Sequence, residues 1–169
     1  MSHIMIRKIN IFGGVVLLLL FLGLFTVKTV AQMSETNDIV NVAFCELMKN
    51  PEKYDGKVIR VKGIYRNFFE LSELFCPECY DSLKRIWVES TEMTDKCIKS
   101  KETKRLEKAR TLFVVFVGKF QASESSYGHS NGYRFQLDLK CVEKSKVLSK
   151  DKPLLPNELN KFDITESCQ

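Results

Sequence analysis

The chain has 169 residues, 44% of them hydrophobic and 28% charged, with a formal charge of +5. That length suits one domain with one core. Two histidines in the whole chain exclude His-rich metal sites, and the modest charge gives no general argument for nucleic acid.

The N-terminus reads as an export signal. Arg7 and Lys8 precede the unbroken apolar run Ile11 to Phe25, and "TVKTVAQ" follows with small or compact residues at Thr29 and Ala31. Residues 1–31 are therefore expected to be a signal peptide cleaved after Ala31. The alternative is an uncleaved membrane anchor, since the run extended to Val27 approaches the minimum span. Cleavage would remove Arg7, Lys8 and Lys28 and no acid. Lys+Arg then falls from 26 to 23 against 21 Asp+Glu, a charge of +2. His3 leaves too, so His129 is the one histidine of the mature chain, and mechanisms needing two are excluded.

All six cysteines (Cys45, Cys76, Cys79, Cys97, Cys141, Cys168) lie in the exported part, where disulfides form and persist. An even count fits pairing but does not fix the connectivity.

Val40, Ala43, Phe44, Leu47 and Met48 recur at helical spacing, which predicts an amphipathic helix capped by Asn37 or Asp38 and stopped at Pro51. From Lys57 the period becomes 2. Ile59, Val61 and Tyr65 oppose Arg60, Lys62 and Arg66, so this is a half-buried strand, with Gly63 marking a bulge or sharp coil. "FFELSEL" is a second strand and Arg85 to Ser90 a third. Asp95 to Arg110 is a charged helical crossover, "TLFVVFVGKF" a central fourth strand, and "YRFQLDLKC" a strictly alternating fifth. Residues 149–169, with Pro153 and Pro156, read as a loosely attached tail, leaving 32–148 as the domain.

Three strands, a helical crossover and two more strands is the order of an OB-fold, so the fold class is mainly β (α+β), a five-stranded OB-like barrel with an N-terminal helix. "FCELMKNPEKYDGKVIRVKGIYR", "FELSELFCPEC", and "VGKF" leading to "YGHSNGYRF" resemble a family of small exported bacterial proteins with an OB-like barrel, functionally uncharacterised. The resemblance spans most of residues 40–142. It implies the fold and carries no activity with it.

"CPEC" (Cys76 to Cys79) has three readings. A redox site needs a thiolate stabilised by a helix N-terminus and positive neighbours, whereas Glu70, Glu73, Glu78 and Asp81 surround this one. A zinc site would draw on Cys76, Cys79, Cys97 and either Cys141 or His129, but the second Cys-x-x-Cys of a zinc ribbon is lacking, with Thr94 and Ser100 in its place. The favoured reading is a staple, Cys76 and Cys79 pairing with each other or with Cys45, Cys97 or Cys141. Trp87 reads as core, and the seven Lys or Arg of "KCIKSKETKRLEKAR" as a solvated helix face. No paired carboxylates, nucleophile elbow or phosphate-binding loop is placed for catalysis.

The expected function is a non-catalytic binding module of the cell envelope, periplasmic or extracellular, without a cofactor or metal. Its partner would be a protein, peptide or glycan, with no nucleic acid, and with a membrane contact only through residues 1–31 if these are retained. By analogy with OB-folds, its ligand would meet Asn67, Phe68 and Phe69 of one loop and Tyr127, His129, Asn131 and Tyr133 of another. The alternative is a thiol-disulfide enzyme or thiol sensor using Cys76 and Cys79.

Overall fold

The structure is a computed structural model that describes residues 38–122, 126–162, 164 and 168. Residues 1–31, the expected signal peptide, lie outside the described residues. Among the described residues no helix is long and apolar enough to cross a membrane.

Six strands carry the fold: β1 (Val40–Val42), β2 (Val58–Phe68), β3 (Leu71–Phe75), β4 (Ile86–Glu89), β5 (Thr111–Gln121) and β6 (Phe135–Ser149). β2, β3, β4, β6 and β5 pair in that order, and β5 closes back onto β2. The result is a closed five-stranded barrel in which β4 and β6 run parallel and the other neighbours antiparallel. This is the expected OB-like α+β architecture. Ile59, Val61, Leu74, Ile86, Leu112, Val114, Phe116, Phe120, Leu137 and Leu139 fill it, all nearly or fully buried.

Gly63 follows the point where β2 changes its second partner. β5 pairs along β2 from Val58 to Arg66 without interruption, while the opposite edge pairs with β1 up to Val61 and with β3 from Ile64. A Cβ at Gly63 would lie 2.9 Å from Leu74 Cδ1, so the glycine permits close strand approach and is not a bulge. The bulges fall instead on the β5–β6 pair.

Three expectations need correcting. The first helix, α1 (Phe44–Lys49), is shorter than its periodicity implied and starts after Ala43, because Val40–Val42 pair with β2 as a parallel strand. Backbone pairing outcompetes one turn of marginal helix there. The fifth strand does not end at Cys141 but continues to Ser149, with Glu143, Lys144 and Lys146 exposed as Val142 and Ser145 turn inward. The segment after Ser149 is pinned: Leu154 and Leu159 are buried, and Cys168 is joined to Cys76.

The crossover forms two helices, α2 (Asp95–Ile98) and α3 (Lys101–Lys108), with Ser100 capping the second. They are held on β6 by the Cys97–Cys141 disulfide and by Glu102, which accepts from the Ser145 amide and hydroxyl. The Ser145 hydroxyl is the main reason the Glu102 carboxyl sits below its ordinary pKa.

Phe116 is fully buried and meets Tyr65 edge to face at 5.3 Å. Phe116→Ala is expected to cost about 3 to 5 kcal/mol in denaturant unfolding. A loss of a few tenths would show that the barrel is not filled from β5.

Candidate functional site

Phe68 pairs with Leu71, so β2 and β3 are joined by a two-residue connection, Phe69 and Glu70. Tight hairpins want positive φ and usually place Gly or Asn there. Phe69 takes that role at φ 46° with 89% of its surface exposed, its ring meeting Phe68 edge to face at 4.4 Å. The base below it is fixed. The Asn67 amide N–H donates to Arg110 O at 3.0 Å, its Nδ2 donates to Leu106 O at 3.3 Å, and the Arg110 guanidinium lies over the Phe68 ring.

The second loop is closed by an isolated bridge in which Tyr127 and Tyr133 exchange backbone hydrogen bonds. Gly128, at φ 71°, lies so close to the Trp87 ring that a Cβ would come within 2.6 Å of it. Only glycine satisfies both conditions. His129 and Asn131 project from this loop, exposed, and His129 Nε2 lies 2.9 Å from Glu70 Oε2. The two predicted loops therefore meet, and Glu70 and His129 link them.

Not every expected contact residue faces outward. Tyr133 is buried, and its Oη donates to Glu73 Oε2 at 2.9 Å. Burial first, then the Glu73 charge, pushes its phenol far above the ordinary range, so it stays a neutral donor. Asn67, Phe68 and Tyr127 are half-buried; Tyr127 Oη donates to Gln121. The surface available to a partner centres on Phe69, Glu70, His129 and Asn131.

Behind it is a charge network that sequence reasoning missed. Glu73 is fully buried on the outer face of β3, accepting from Arg66, from Arg85 at 2.9 Å and from Tyr133. Arg66 lies over the Phe75 ring and donates to Leu154 O, and its Nε has no hydrogen-bond partner among the described residues. Trp87, opposite Glu73 in register, is half-buried on this same outer face under Gly128 and Tyr133, and so is not part of the barrel interior. The face that OB-folds commonly offer to ligands is thus occupied by the chain's own loop and C-terminal segment, leaving its rim open.

The cysteines form three disulfides, Cys45–Cys79, Cys76–Cys168 and Cys97–Cys141. Cys76 and Cys79 belong to different bridges. The partner of Cys79 is among those expected, whereas Cys168 as the partner of Cys76 is not. No cysteine among the described residues is free, and Cys76 is fully buried. The zinc quartet weighed and set aside in the sequence is dispersed, because Cys97 and Cys141 are bonded to each other at α2 and β6.

No protein family model matches the chain, and no curated protein does. Among solved structures, it is similar to asparaginyl-tRNA synthetase from Pyrococcus horikoshii complexed with asparaginyl-adenylate, at 18% identity and a TM-score of 0.33. That match covers 66% of this chain and 24% of the other, so the chain spans about a quarter of that protein's length.

Proposed function

We propose that this disulfide-stabilised barrel is an exported, non-catalytic binding module of the cell envelope, recognising a protein, peptide or glycan through its hairpin tip. Three disulfides suit an oxidising compartment, in keeping with the N-terminal export pattern. The observation that carries the reading is Phe69. A bulky residue in the left-handed region costs about 1 to 2 kcal/mol, and an exposed ring recovers little of that. Strain retained without a folding benefit points to recognition. The thiol-enzyme alternative loses ground because Cys76 is buried and Cys79 is bonded to Cys45.

Phe69→Gly is expected to leave unfolding stability unchanged or to raise it by up to about 1 kcal/mol. A photo-crosslinking phenylalanine analogue at position 69 is expected to capture a discrete partner in living cells, while the same analogue at exposed Lys146 does not. No adduct at position 69, or the same adducts at both positions, would overturn the proposal.

A further inference from the structure

We infer that Cys45, Cys76, Cys79 and Cys168 form a structural tetrathiolate zinc site when their disulfides are reduced. The sulfurs of Cys45, Cys76 and Cys79 all lie within 4.8 Å of one another, and Cys168 is bonded to Cys76. Cys45 Sγ and Cys76 Sγ, which belong to different disulfides, are 3.7 Å apart. Zinc binds thiolates at about 2.3 Å, so the edge of a ZnS4 tetrahedron is about 3.8 Å. One edge thus already has its length in the oxidised protein. Reduction frees the two bonded pairs, Cys45–Cys79 and Cys76–Cys168, to separate toward the same length.

The backbone at Cys45, Cys76 and Cys79 is held by means other than the bridges. Cys45 lies in the first turn of α1, Cys76 directly follows β3, and Cys79 ends a 3-10 turn begun by Pro77. The Phe44 amide donates to Cys168 O at 3.1 Å, tying the C-terminal ligand to the same helix. Cys76 and Cys168 are buried and the other two half-buried, the closed surroundings of a structural metal. Cys97 and Cys141 take no part, since they bridge α2 and β6.

The chemistry balances with a dithiol reductant. Each disulfide accepts two electrons and two protons from one dithiol, which leaves as its own disulfide. The four resulting thiols release their protons as Zn2+ binds, giving a complex of net charge −2. The same four residues are then staples under oxidising conditions and metal ligands under reducing ones.

The test uses the full chain in detergent, reduced with a phosphine and titrated with Co2+, then with Zn2+. The expected result is one Co2+ per chain with the visible bands of tetrahedral thiolate coordination, displaced by Zn2+, and a higher melting temperature with Zn2+ than without. Cys45→Ser and Cys168→Ser should each weaken Co2+ binding at least about tenfold. Thiol alkylation of the zinc-loaded unsubstituted chain, followed by peptide mass analysis, gives a readout that does not depend on the folding of any variant. Cys97 and Cys141 should be modified while the other four are protected. Absence of the cobalt bands, unchanged affinity in either serine variant, or a protected set other than these four would overturn the inference.

Discussion

Replacing Glu73 with alanine is expected to cost about 3 to 5 kcal/mol, because it removes one partner from a buried charge network and strands the other. Glu73 is fully buried and the Arg66 side chain is only 7% exposed, so Arg66 cannot turn to water for its lost partner. It would keep the Leu154 carbonyl and the Phe75 ring, neither of which neutralises it. Arg85 has a way out, its side chain being 24% exposed, so the damage should centre on Arg66. The diagnostic variant is Glu73→Ala combined with Arg66→Met. If the cost is the uncompensated guanidinium, the double variant should recover much of the loss, since apolar replacement of a buried pair is often neutral. If the double variant is as unstable as the single one in denaturant unfolding, that account fails, and the loss reflects lost packing.

The same network shows where sequence reading stops. Alternation in residues 57–66 and at the start of β6, and a run apolar on both faces in β5, identified strands, since burial of one face or both leaves a direct imprint on residue order. Glu73 carried no such imprint. In sequence it is one of several acids beside "CPEC", and its burial depends on Arg66 arriving through strand pairing and Arg85 across the next strand. Tyr133 misled for a related reason: a tyrosine after a Ser, Gly and Asn stretch reads as loop surface, yet a carboxylate from β3 draws its hydroxyl inward. β1 was hidden because three residues pairing in parallel with β2 share their apolar positions with the helix that follows. For the candidate site, strand order brings the two loops together, but the Glu70 to His129 link and the strain at Phe69 are properties of the tip's backbone.

The remaining large effect concerns the bridge that no local pattern indicated. Cys76→Ser with Cys168→Ser opens a bridge spanning 92 residues, but Cys97–Cys141 already closes 44 of them; subtracting leaves an effective loop near 48. Chain entropy for a loop of that size predicts a loss of about 4 kcal/mol. Opening Cys97–Cys141 or Cys45–Cys79, whose spans are 44 and 34 residues, should cost a similar amount on entropy alone. What separates the three is location. Cys168 anchors a segment whose Leu154 and Leu159 cover the outer face of the barrel and whose Leu154 carbonyl accepts from Arg66. Freed of its anchor, that segment should open locally before the barrel unfolds, so amides near Leu154 to Leu159 should lose hydrogen-exchange protection while those of β5 keep theirs. A loss below about 1 kcal/mol in denaturant unfolding, with protection retained there, would show that packing alone holds the C-terminal segment and that the bridge adds little.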